Sequence, residues 1–300
     1  MRTAILLRRF AILAVVGLTG LSAGNPAFCQ EHLTVHGMTH DALEDHLIFE
    51  LGERQFDTLP RWHQQVCVDI HGVQEQFDKM LFSHLKNTGS SLGLSLSRDC
   101  RAKQLFVFFT DQSDALAAGI HKLNPDLFVG LDNAQEYQES KVEATRDEVR
   151  QFLKPRAVRW LASSSMRNKS DMPPIIMPSG FPVRYAAPVG DSALGNVTTR
   201  RDLTIVLIII DINRLRNESW GMLGDLLSLV AFAAPHLRDG YDDRSLLRYT
   251  QSEILEGPTG EMLPYDRAVL ATLYALPDDY DQSDGLDWMA SHFSPEARSH

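Results

Sequence analysis

Cysteine is scarce in this sequence, with three among 300 residues. Cys29, Cys67 and Cys100 lie far apart, which excludes a paired-cysteine zinc motif. Basic residues are also few. Lys and Arg number 29 against 39 Asp and Glu, for a net charge of −10. A surface of that sign repels phosphate backbones, so no nucleic-acid partner is expected. Beyond the N-terminus, long apolar runs are missing. "LTIVLIII" (203–210) has the length of a strand, well short of the roughly 20 residues of a spanning helix. No internal repeat is found.

The N-terminus is what carries apolar sequence. Arg2, Arg8 and Arg9 precede "FAILAVVGLTGL", and small residues follow. That order is the pattern of a secretory signal. Cleavage after Ala23 and after Cys29 compete, and the second is preferred, with residues 1–29 removed. A lipoprotein needs a small residue before its cysteine, whereas Phe28 stands there. Removing 1–29 takes away three Arg and no acid, so the net charge becomes −13. The expected location is exported, periplasmic or extracellular, with no membrane span after cleavage.

Export bears on the cysteines. Two remain, and an even number in an oxidising compartment predicts a Cys67–Cys100 disulfide. The alternative is two unrelated buried thiols.

The patterning predicts an α/β fold, with α+β as the alternative: a mixed sheet with helices packed on it. "THDALEDHLIFELG" reads as a helix, with Thr39 as N-cap and Gly52 as stop. "QVCVDI" alternates as a strand, "VQEQFDKMLFSHLKNTG" is an amphipathic helix, and "LGLSLS" and "KQLFVFFTD" read as strands. Ser113 opens another helix. "RAVRWLASSS" is a further strand, after a charged stretch read as a solvated helix or lid. Residues 30–164 form an N-terminal α/β part. Residues 165–200, rich in Pro and turn formers, read as an irregular loop or hinge. Residues 201–276 give a strand, then a helix over 219–234, then a helix begun by Pro264. Residues 277–300 read as an acidic, flexible tail.

Three constellations are candidates for chemistry. "GSSLG" (89–93) fits a serine-hydrolase pattern, but a nucleophile elbow needs a strand before and a helix after. Here that order is reversed, so Ser91 reads as part of a helix stop. His40 and Glu44 share a helical face and could hold a borderline metal such as zinc. Surface histidines are the simpler reading, and no metal or cofactor is expected. Asp111 and Asp211 each end an apolar strand, where ligands of parallel sheets sit. Asp225, near the start of the helix 219–234, is a third acid. Each Asp could instead cap its own turn.

The pieces "RWHQQVCVDI", "CRAKQLFVFFTD", "NPDLFVGL", "RAVRWLASSS", "LIIIDINRLRNESWGMLGDLLSLVAFAAP" and "LPYDRAVLATLYAL" together resemble an uncharacterised family of exported alphaproteobacterial proteins. That resemblance covers roughly residues 60–276 and implies no particular activity. A more distant resemblance is to zinc metallopeptidase-like proteins, whose first helix carries His-Glu-x-x-His. That motif would fall on Gly224–Ser228. Asp225 could stand for the Glu, but Gly224 and Ser228 occupy both ligand positions. The resemblance therefore implies a fold without the zinc. The expected function is a non-catalytic binding or cell-envelope protein, with an unidentified protein or small ligand as partner. The alternative is a hydrolase using the strand-end carboxylates.

Overall fold

Val206 to Ile210 are buried without a break, so both faces of their strand are covered. That strand, β7 (Thr199–Asp211), pairs parallel with β3 (Leu105–Thr110) on one side and antiparallel with β4 (Val158–Asn168) on the other. The computed structural model describes residues 38–52, 58–123, 147–168, 175–176, 185–186, 199–216, 219–256, 262–278, 280 and 282–294. The expected signal, residues 1–29, lies outside them.

β1 (Val66–His71) lies parallel to β3, and β2 (Leu96–Ser97) lies parallel to β1. The five-stranded order is β2-β1-β3-β7-β4. The sheet is mixed, as the α/β expectation requires: four parallel strands with one antiparallel edge. β7 sits between β3 and β4, so the expected N-terminal and C-terminal parts share one sheet and one core.

Helices follow their caps. α1 (His40–Leu51) starts after Thr39, whose hydroxyl accepts from the Ala42 N–H, and ends at Gly52. α2 (Glu75–Ser91) runs two residues past Gly89, and α3 (Ser113–Leu123) begins at the expected serine. α4 (Trp220–Ala233) is capped by Ser219, which accepts from the Met222 N–H. Its residues Met222 to Ala233 are all buried, so this helix is enclosed on every side, not only along its Leu face. Two indoles bond carbonyls at its C-terminal end: Trp62 Nε1 to Ala231 O at 2.8 Å and Trp160 Nε1 to Pro235 O at 2.7 Å. Ala234 takes φ 47°, a left-handed cap that turns the chain into Pro235. α5 (Pro264–Ala275) has its proline in the first turn.

Two expectations need correction. Residues 165–200 are not irregular throughout. Past a register shift at Ser163/Ser164, the β4–β7 ladder extends as far as Asn168 opposite Thr199, and β5 (Ile175–Ile176) pairs with β6 (Tyr185–Ala186). Nor is the C-terminal segment a loose tail. It forms α6 (Gln282–His292), which packs on α1 and buries Leu286, Met289 and Ala290, with Phe293 buried just beyond it. Those residues recur at helical spacing, and the surrounding acids mask the stripe.

Cys67, in β1, is bonded to Cys100, before β3, with an S–S distance of 2.04 Å. The staple holds the entry to β3 against its neighbouring strand.

Candidate functional site

The chain leaves β1 towards β2 and returns to β3 on the other side of β1. Such a reversal marks where ligands bind, outside the carboxyl ends of the strands. Here backbone fills that position. Gly72 has φ 84°, and a Cβ on it would stand 1.9 Å from the Phe109 carbonyl oxygen. The turn leaving β1 is therefore pressed against β3. His71 stacks on Phe108 with centroids 5.1 Å apart, and its Nε2 is 3.1 Å from Asp69 Oδ2.

One strand over, between β3 and β7, a cleft of about 340 Å³ is lined by Asp111, Ser113, Asp114, Asp211, Asn213 and Arg214, with Gln112 and Ala115. Strand register places Asp211 opposite Thr110, one residue from Asp111. The two strand-end acids expected from the sequence thus meet at one rim. Asn213 Nδ2 links them further by donating to the Asp111 carbonyl at 3.4 Å.

Their states differ. Asp111 is exposed. Asp211 is buried and held on both oxygens: Ser113 Oγ donates to Oδ2 at 2.6 Å, and the Asn213 N–H donates to Oδ1 at 3.0 Å. Arg214 Nη1 lies 3.4 Å from the same Oδ2. Asp211 is the cap of the turn Ile212–Arg214.

Beside it, Arg214 donates to both oxygens of Asp114, at 2.9 and 2.8 Å, and Arg159 donates to Oδ1 as well. The Arg214 hydrogen bonds, helped by Arg159, hold the Asp114 carboxyl down to about 2. Arg159 is fully buried on β4 and also donates to Ser113 Oγ at 3.3 Å and to the Phe152 carbonyl at 3.0 Å. The floor of the cleft is thus an interlocked set: Asp114 and Asp211 against Arg159 and Arg214.

Asp225 belongs elsewhere. It lies on α4 and takes His84 Nε2, from α2, at 2.8 Å. Gly224 makes room for that ring, since a Cβ there would stand 2.7 Å from His84 Cγ. Ser228 donates to the Gly224 carbonyl at 2.8 Å. The three positions of the absent zinc motif therefore serve helix packing. Ser91 ends α2 and donates to the Thr88 carbonyl at 2.7 Å, consistent with a helix stop. His40 and Glu44 are joined by Asp287 from α6, and ligand atoms of the three lie within 4.8 Å of one another.

Sequence reasoning missed two further clusters. His63 sits between acids: Nδ1 is 2.8 Å from Asp202 Oδ1 and Nε2 is 3.2 Å from Asp278 Oδ1, with Arg61 also paired to Asp278. Burial pushes both carboxyls up, but His63 and Arg200 hold Asp202 low, and Arg61 and His63 hold Asp278 low. The cluster borders a cleft of about 470 Å³ at the amino ends of β1 and β2. The second cluster is acidic and enclosed. Glu50 and Asp266 are buried close enough to repel one another. Burial pushes Glu50 well up and Asp266 up to about 7. Asp266 Oδ2 accepts from the Leu246 N–H at 2.8 Å. Asp266 lies in the first turn of α5, and nothing local to it in the sequence marks the burial.

Comparison with known proteins adds no relative: no protein-family model, curated protein or solved structure matches the chain.

Proposed function

We propose that this is an exported, non-catalytic binding protein, and that the cleft between β3 and β7 takes a small polar ligand carrying a positively charged group. The observation that carries the reading is the charge balance of the cleft. Among the lining acids, Asp114 and Asp211 are paired with Arg214, which Glu253 also approaches at 3.5 Å from outside the lining. Arg159 supports Asp114 from below, and the exposed Asp111 is the lining acid without an arginine beside it. An ammonium group is the natural complement. Export is supported by the N-terminal pattern of residues 1–29 and by the Cys67–Cys100 disulfide.

The rival is hydrolysis by Asp111 and Asp211. It asks one carboxyl to give a proton and the other to take one or attack. Asp211 has both oxygens committed to the local fold, which favours binding over catalysis. A cell-envelope role would favour a contiguous exposed apolar patch. Among the described residues, the exposed large apolar side chains, Met80, Leu123, Ile212 and Ile254, belong to four separate segments.

Calorimetric titration of the purified protein with small primary amines, amino acids and neutral sugars tests the reading. Saturable binding of an amine, weakened roughly tenfold or more in Asp111→Ala, is expected, a loss of about 1.4 kcal/mol. Binding indifferent to that substitution, or confined to neutral sugars, would overturn it.

A further inference from the structure

α1 and α6 meet at the surface with three metal-ligating side chains turned toward one point. His40 is the first residue of α1, and Glu44 follows one turn later on the same face. Asp287 comes from α6, 247 residues away in the chain, and its Oδ1 lies 2.9 Å from His40 Nε2. One ligand atom from each of the three falls within 4.8 Å of the other two. We propose that His40, Glu44 and Asp287 form a zinc site that clips the start of α1 to α6. This inference does not depend on what the β3–β7 cleft binds.

The donor set selects the metal. One imidazole nitrogen with two carboxylates suits zinc, with bonds of about 2.0–2.2 Å and donors about 3.3 Å apart around a tetrahedron. Calcium would ask for six to eight oxygens, and magnesium for a hydrated octahedron of oxygens. Reaching tetrahedral spacing from 4.8 Å asks the side chains to turn, and two of the three are exposed while Glu44 is half-buried. His40 and Asp287 are 40% and 63% exposed, so their rotamers are free to adjust. The backbone beneath them is fixed by Thr39 capping α1 and by Leu43, Leu47, Leu286 and Met289 in the core. Helix positions that do not move, carrying side chains that can, make a site that zinc completes without refolding. Three protein ligands leave the fourth position to solvent, as in open zinc sites.

Zinc bound at this junction holds two segments distant in sequence, so it stabilises the folded chain by mass action. The test is zinc titration of the chelator-treated, purified protein, followed by calorimetry and thermal melting, with calcium and magnesium as comparison ions. Expected are one zinc per chain and a higher melting temperature. Affinity should fall at least roughly tenfold in both His40→Ala and Asp287→Asn. Both side chains are exposed, so these variants should melt like the parent without zinc. His32 and His36 also precede α1 in the sequence. Binding that survives Asp287→Asn but is lost in the His32→Ala/His36→Ala double variant would overturn the proposal, as would the absence of saturable zinc binding.

Discussion

Asp211 accepts a 2.6 Å hydrogen bond from the Ser113 hydroxyl, tying the carboxyl end of β7 to the first residue of α3. Asp211 is 5% exposed and Ser113 is 1% exposed, so water cannot replace either partner. Asp211→Ala should therefore cost about 1–3 kcal/mol, because it takes the acceptor from the buried Ser113 hydroxyl and removes the cap on the Asn213 N–H. Asp111→Ala, at the exposed rim, should stay within about 0.5 kcal/mol. Urea unfolding of both variants checks the contrast. Equal losses would mean that Asp211 is not the structural partner described.

The disulfide closes a loop with a sequence separation of 33. A double Cys67→Ala/Cys100→Ala variant should lose about 3–4 kcal/mol on the chain-entropy estimate. Mass spectrometry of alkylated protein from the oxidising compartment should show neither cysteine modified until reductant is added. Modification of both without reductant would refute export into such a compartment.

α6 is part of the core. Met289 is fully buried, so Met289→Ala should cost about 2–5 kcal/mol. A chain ending before Gln282 should expose the α1 face that carries Leu43 and Leu47 and should bind hydrophobic dyes. A truncated chain as stable as the full one would restore the reading of residues 277–300 as a loose tail.

Stability should change with pH in two opposed ways. Glu50 and Asp266 have raised folded values, so their contribution is full below the ordinary carboxylate range and declines as pH rises, for Asp266 from about 4 to about 7. Asp266→Asn should flatten that decline, measured as melting temperature against pH. Asp114 works the other way. Its value is lowered from 3.8 to about 2, so its contribution is present above that range and is lost as pH falls between them. Asp114→Asn should weaken the acid-side loss. Its partial exposure means solvent screens much of the effect.

The elements most legible in the sequence were those whose signals are local. β7 is a run of branched apolar residues, and α4 announces itself with Ser219 at one end and Pro235 beyond the other. Asp111 and Asp211 were legible as strand-end acids, whereas their meeting at one rim came only with the pairing of β3 and β7. Contacts between distant segments were not. His63 meets Asp202 and Asp278 across the fold, and Asp266 is buried by the segment around Leu246. Neither residue type nor spacing carries that information. α6 was legible in principle, through Leu286, Met289, Ala290 and Phe293. Its acidic surroundings outweighed a four-residue stripe. His40 and Glu44 showed half of a ligand set, and the third member came only with the packing of α6 on α1.

The claim that the β3–β7 cleft binds without reacting is tested most directly by turnover assays of the purified protein on ester, peptide, glycoside and phosphoester substrates. Asp111→Asn should be assayed alongside at matched melting temperature. The cleft chemistry described here predicts no hydrolysis that depends on Asp111, so the two proteins should give the same background rates. Hydrolysis by the parent that disappears in Asp111→Asn, with the fold intact, would contradict it.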